Sequence, residues 1–179
     1  MIATQTPTVE EFLRATGDDR SEFVRGEKIE KALAGREHAR IQMRLGAALE
    51  AYGQRTGKGL PFSEWHHRFG PPDDQRIYIP DIAFLLAPRH IGAPRYADSA
   101  SDIMIEIVSP NDKPLDLIDK VEFYLRNGVQ SVWIIDPETK QVDIQKPGRK
   151  SQRFDAASVL TDELLPGFEL PLADLFAGA

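Results

Sequence analysis

The chain of 179 residues contains no cysteine. This excludes disulfides, a thiolate nucleophile and a cysteine-ligated zinc site, and it suits a reducing cytoplasm as the expected compartment. Long apolar runs are missing too. No segment approaches the ~20 residues needed to cross a bilayer, and the N-terminus MIATQTPTVEEFL lacks a basic region followed by an apolar core. The expectation is a soluble cytoplasmic protein with no membrane partner. Positive charge is in deficit, with 22 Lys and Arg against 28 Asp and Glu and a formal net charge of −6. That balance argues against a surface that grips nucleic acid over its whole extent. Internal repeats, low-complexity tracts and Pro/Ser-rich linkers are absent. The length, with 41% apolar residues, fits one domain spanning 1–179 with an ordinary core.

Positive charge is not spread evenly, and two runs stand out. Arg36, Arg40 and Arg44 recur every four residues on a predicted helix, and Lys146, Arg149, Lys150 and Arg153 fall in a stretch without an acid. Either run can meet phosphate. The ordinary account of such runs is a solvated helix face and a polar loop.

The stretch from Ser101 to Gly128 organises the rest. Ile103 to Val108 is an apolar, β-branched run of strand length, interrupted by Glu106. An ionised carboxylate inside such a strand is costly unless it is paired. Strand alternation puts Met104, Glu106 and Val108 on one face and Ile103, Ile105 and Ile107 on the other. Glu106 therefore needs a cation or a metal on its own side. Asp81 follows Pro80 at the start of another apolar strand, and Lys120 lies on a predicted helix from about Leu115 to Arg126, in a stripe with Asp116 and Tyr124.

The other segments supply a frame. Thr8 and Glu11 form a capping-box pattern before a helix over Val9 to Ala15, with Gly17 placed to end it. SEFVRGEKIEKAL reads as a hairpin about Arg25-Gly26, with Glu22 and Glu27 as solvated hairpin carboxylates. Ile41, Leu45, Ala48 and Tyr52 make the apolar stripe of a helix from Arg36 to about Tyr52. His38, in its first turn, has no second histidine one turn away and is left out of the site. PFSEWHHRFG reads as a strand in which His66 and His67 point to opposite faces, so they do not chelate one metal together. Arg76 to Leu86 reads as a strand, and APRHIGAPRYADSA as an exposed loop whose basic residues can meet a substrate. SVWIIDP and KQVDIQK are further strands, and LPGFELPLADLF covers an edge. The order predicts an α+β domain with a mixed central β-sheet flanked by helices.

Asp81 and Glu106 on neighbouring strands, helped by the backbone carbonyl of Ile107, form an oxygen-rich pocket suited to Mg2+, with Mn2+ as a substitute. A divalent ion there, with a lysine close by, points to metal-assisted hydrolysis of a phosphodiester.

Five blocks, IPDIAFL, IEIVSP, D-x-x-x-K-x-x-x-Y, GVQSVWIIDP and LLPGFEL, occur here in the order seen in the Uma-type restriction endonuclease family of the PD-(D/E)XK nuclease superfamily. The chain resembles that family over about residues 20–176. The resemblance implies a restriction-endonuclease-like core in which Asp81 and Glu106 bind metal. It also implies a DNA substrate. Two residues after the glutamate, where a lysine is usual in the superfamily, this chain has Val108. The Uma-type pattern carries its lysine on the following helix, which Lys120 matches.

The structural alternatives are that Asp81 forms a turn, that Glu106 is salt-bridged to an arginine, and that Lys120 answers Asp116 along the helix. Two functional readings follow: a Mg2+-dependent DNA endonuclease using Asp81, Glu106 and Lys120, or a non-catalytic nucleic-acid-binding or protein-interaction module on the same fold. A homodimer is expected, because two sites related by a two-fold axis can cut both strands.

Overall fold

The computed structural model describes residues 8–15, 20–31, 33–87 and 96–178. The helix stop at Gly17 and most of the expected exposed loop, residues 88–95, lie outside the described residues.

Helix α1 (Val9–Ala15) opens on a capping box: Thr8 Oγ1 accepts the Glu11 amide, while Glu11 Oε2 accepts the Thr8 amide. Strands β1 (Ser21–Val24) and β2 (Glu27–Glu30) form the expected hairpin, with Arg25 at φ 51° and Gly26 at φ 83°. Both turn residues are left-handed, as a two-residue turn matching the strand twist requires. Helix α2 (Arg36–Thr56) runs a turn beyond Tyr52. Within that extra turn Gly53 lies against the backbone of Gly59, where a Cβ would meet the carbonyl oxygen at 2.3 Å.

Two stretches that alternate like single strands are each broken into two. Glu64, at φ 51°, turns the chain between β3 (Gly59–Ser63) and β4 (His66–Phe69). Ile79 to Asp81, with Pro80 unable to donate to a ladder, separate β5 (Arg76–Tyr78) from β6 (Ile82–Leu86). Each break sends the chain from one sheet to another. Then follow β7 (Tyr96–Ala97), β8 (Ile103–Ile107), α3 (Pro114–Arg126), β9 (Ser131–Asp136), β10 (Gln141–Gln145), β11 (Gln152–Phe154), β12 (Val159–Leu160), β13 (Leu170–Pro171) and α4 (Leu172–Phe176).

The main sheet is six-stranded, in the order β11-β10-β9-β8-β6-β3, with β8 and β9 parallel and the other pairs antiparallel. It is the mixed central sheet expected. A second, five-stranded sheet, β2-β1-β5-β4-β7, and a short β12-β13 ribbon are additions that local alternation does not reveal. On one face of the main sheet, Ile103, Ile105 and Ile107 pack with Ile41, Leu45, Leu49 and Tyr52 of α2 and with the C-terminal segment around Leu172 and Phe176. On the other face, Met104 and Val132 pack with Val121, Phe123 and Tyr124 of α3 and with Phe69 and Tyr78 of the second sheet. The alternation of β8 thus sorts its side chains as the sequence pattern requires.

His67 is fully buried, with Nδ1 2.8 Å from the Trp65 carbonyl and Nε2 2.8 Å from Ser101 Oγ. A carbonyl only accepts, so Nδ1 carries the proton and Nε2 accepts the Ser101 hydroxyl. Burial pushes its pKa down to about 4, below an ordinary value of 6.5. A depressed histidine contributes stability above pH 6.5 that is lost as pH falls towards its folded pKa. The unfolding free energy should therefore drop by about 2 kcal/mol between pH 7 and pH 4.5 from this group. Urea titrations of wild-type and His67→Gln protein at both pH values check it; an equal drop in both proteins would contradict the assignment.

Candidate active site

The β6–β8 ladder stops at the pair Ile82↔Ile105. Past it the chain turns away at Pro80 and Asp81, and the Asp81 side chain takes over the pairing: Oδ2 accepts the Ile107 amide at 2.7 Å. The Ile107 carbonyl leaves the strand on that same edge, as N–H and C=O of one strand residue do. Asp81 is 2% exposed. Its Oδ1 accepts from Lys31 Nζ at 2.7 Å, and His38 Nε2 lies 3.1 Å from Oδ2. Burial by itself would raise the Asp81 pKa, but the hydrogen bond from His38 and the charge of Lys31 outweigh it and hold it well below the usual carboxylate range.

Glu106 points to the α3 side. Its Oε2 accepts from Lys120 Nζ at 2.9 Å and its Oε1 from the Tyr124 hydroxyl at 2.8 Å. Burial raises its pKa above the carboxylate range; Lys120 counters that shift, and the nearby charge of Asp81 adds to it. Burial would lower Lys120, yet the charges of Glu106 and Glu22 prevail and hold it well above its ordinary value, so it is an ammonium at neutral pH. Lys120 Nζ also lies 5.3 Å from the centre of the Tyr78 ring and 5.8 Å from that of Tyr124. The Tyr124 pKa is raised well above normal, first by burial and then by Glu106, which keeps it a hydroxyl donor. Glu106 is thus paired with a lysine and a tyrosine rather than an arginine. Lys120 answers two acids across the fold, Glu106 and Glu22, rather than Asp116 along its own helix.

Three residues join this site that the sequence reading leaves outside. Glu22 is not a solvated hairpin acid. It is 9% exposed, and its Oε1 accepts from Lys120 Nζ at 2.8 Å and from the Ile79 amide at 2.9 Å. Lys31 donates to Asp81 and, at 2.9 Å, to the Ile79 carbonyl. His38 is 7% exposed, and its Nδ1 has no hydrogen-bond partner among the described residues. A signal for His38 exists in the sequence: it stands three residues before Ile41 and so extends the apolar stripe of α2 by one turn. Glu22 and Lys31 carry no such local signal, because their partners are tens of residues away.

The arginine stripe has a different setting. At ~100° per residue, Arg40 lies on the side of α2 opposite His38. Arg36 and Arg40 are exposed, whereas Arg44 Nη1 donates to the carbonyls of Asp174 and Leu175 at 3.1 Å and to that of Ala177. Arg44 thus ties α2 to the end of α4. In the second basic run, Lys146 pairs with Asp162 and Glu163, Arg149 with Glu163, and Arg153 with Asp143. That run surrounds β11, at the far edge of the sheet from β6.

Among the described residues no three His, Asp or Glu side chains cluster into a ready-made metal cage. What the site does offer is hard oxygen. The Asp81 carboxylate is fixed by the Ile107 amide, the Glu106 carboxylate comes from the preceding residue of β8, and the Ile107 carbonyl lies on the Asp81 edge. Mg2+ is commonly held by one or two carboxylates with several waters retained. This donor set fits it, and a buried acid with a raised pKa is stabilised by a further cation. His38 Nε2 lies 3.1 Å from the Asp81 carboxylate of that set.

No curated protein matches the chain. Residues 9–173 match the model of the Uma2 family, described as "Putative restriction endonuclease". Among solved structures, "a putative nuclease belonging to DUF820" from Anabaena variabilis matches with a TM-score of 0.83 and 24% identity, over 95% of this chain and 97% of that one. At that identity the likeness establishes a shared fold.

Proposed function

The chain belongs to the Uma2 family, described as "Putative restriction endonuclease", and from that premise we propose that it is a metal-dependent DNA endonuclease whose active site is Asp81, Glu106 and Lys120. The observation that carries this reading is the buried Glu106–Lys120 pair, set one residue from the backbone amide that fixes Asp81. Asp81, Glu106 and the Ile107 carbonyl would hold Mg2+ or Mn2+. When bound, that ion lowers the pKa of a water and neutralises charge on the phosphate. The reaction joins a water oxygen to phosphorus and breaks the phosphorus–oxygen ester bond, with one proton leaving the water and one reaching the departing oxygen.

Lys120 serves this chemistry as a fixed positive charge. Two acids keep it protonated, so it stabilises negative charge growing on the phosphate oxygens rather than taking the proton of the water. Tyr124 holds the other oxygen of Glu106 and fixes the orientation of its carboxylate. Arg36 and Arg40, exposed on the side of α2 away from His38, are the members of the stripe open to phosphates beyond the site, while Arg44 is engaged with the end of α4.

Supercoiled plasmid incubated with purified protein tests the reading. Cleavage is expected with Mg2+ or Mn2+ and none with chelator. A homodimer, with two sites facing opposite strands, gives linear product early, whereas a single site gives nicked circles first. Intact plasmid under every metal condition, with DNA still bound, would favour the non-catalytic module.

A further inference from the structure

The N-terminal hairpin reaches the site through two side chains that grip one residue. Glu22 of β1 accepts the Ile79 amide at 2.9 Å, and Lys31, just beyond β2, donates to the Ile79 carbonyl at 2.9 Å. Ile79 stands two residues before Asp81. The same two side chains also hold the site itself: Lys31 Nζ bonds Asp81 at 2.7 Å and Glu22 Oε1 bonds Lys120 Nζ at 2.8 Å. At the hairpin turn, Arg25 Nη2 donates at 2.6 Å to Asp119, the neighbour of Lys120.

Resting on the nuclease reading above, we propose that Glu22 is a positioning residue: it fixes the Lys120 ammonium between two carboxylates and ties it to the backbone that carries Asp81. Lysine is a flexible stem with a point charge, and one acid on its ammonium leaves it free to swing. Glu22 and Glu106 come from different sheets and meet the ammonium at 2.8 Å and 2.9 Å, so Nζ is held from two directions. Glu22 is nearly as buried as Glu106. Glu22 shares with Glu106 the charge that holds Lys120 as an ammonium, and it does so from a second direction. Beyond that charge it supplies direction, and its bond to Ile79 sets the distance between the Lys120 and Asp81 halves of the site.

Glu22→Gln keeps the position of Oε1, the one oxygen that both the Ile79 amide and Lys120 Nζ contact, but removes its charge and so weakens the hold on the ammonium. Two measurements on this full-length variant test the proposal. Relaxation of the 15N-labelled Lys120 ammonium should show a rigid group in wild-type protein and a freed one in the variant, while Ile79 amide exchange stays within about threefold and the fold is retained. The metal-dependent cleavage rate kcat should fall by about tenfold or more with KM within about twofold, the pattern of lost orientation. An unchanged Lys120 ammonium in the variant overturns the proposal whatever the activity. A freed ammonium with no cleavage by wild-type protein supports the positioning and counts against the nuclease reading alone. Wild-type kcat in a variant with a freed ammonium also overturns it, since orientation would then not matter.

Discussion

Folded Lys120→Ala protein should cleave DNA about 100- to 1,000-fold more slowly than wild type at saturating Mg2+, the loss typical of removing one preorganised donor from a site where charge develops. The effect on stability should be large too. Lys120 is the cation shared by Glu106 and Glu22, and breaking a buried pair from one side costs about 3–5 kcal/mol. Glu106 relieves part of that cost by taking up a proton. Its folded pKa is already raised by burial, and losing Lys120 raises it further. A carboxyl with a raised folded pKa contributes stability below its unfolded value that is lost as pH rises through the folded one. The variant should therefore be closest to wild type near pH 5 and most destabilised near pH 8. Urea titrations at the two pH values, beside cleavage rates normalised to folded protein, check both halves. A folded variant that cleaves at the wild-type rate removes Lys120 from the chemistry.

Asp81→Asn should be the second severe lesion, and a cleaner one. Asparagine keeps the shape and an oxygen to accept the Ile107 amide, so the seam between β6 and β8 survives. What is lost is the charge that Lys31 and His38 face and that would ligate the metal. Cleavage should fall at least about 100-fold, corresponding to about 2.7 kcal/mol of transition-state stabilisation. Calorimetric Mn2+ affinity should fall with it. The Asp81 pKa is depressed, so its stabilising contribution exists above the unfolded value and is lost as pH falls through the folded one. The stability gap between wild type and Asp81→Asn should accordingly narrow in acid. Unchanged Mn2+ affinity in the variant would show that the metal lies elsewhere.

How much of this site is legible in the sequence depends on how local each signal is. The face that Glu106 occupies follows from the alternation of a single strand, and β8 obeys it. Asp81, Glu106 and Lys120 stand out because each interrupts or follows an apolar pattern, or matches a spaced motif. The breaks at Glu64 and at Ile79 to Asp81 are not legible in alternation, which continues smoothly through a stretch that changes sheets. The Asp81 break is the more instructive, because leaving the ladder frees the Ile107 amide to meet a carboxylate. Glu22 and Lys31 are hidden for a different reason. They sit in a polar hairpin that looks solvated, and their partners come from elsewhere: Lys120 of α3 and the Ile79 amide for Glu22, and the Ile79 carbonyl and Asp81 for Lys31. Arg44 illustrates the converse case, a residue in a phosphate-like stripe that instead ties α2 to the carbonyls ending α4.

The most direct measurement is an anomalous difference map from crystals of the wild-type protein soaked in Mn2+. A peak is expected bonded to carboxylate oxygens of both Asp81 and Glu106, about 2.1 Å from each, with the Ile107 carbonyl turned towards it. A protein that cleaves DNA with Mn2+ but shows no peak touching either carboxylate, or shows its peak at another set of residues, would contradict the account.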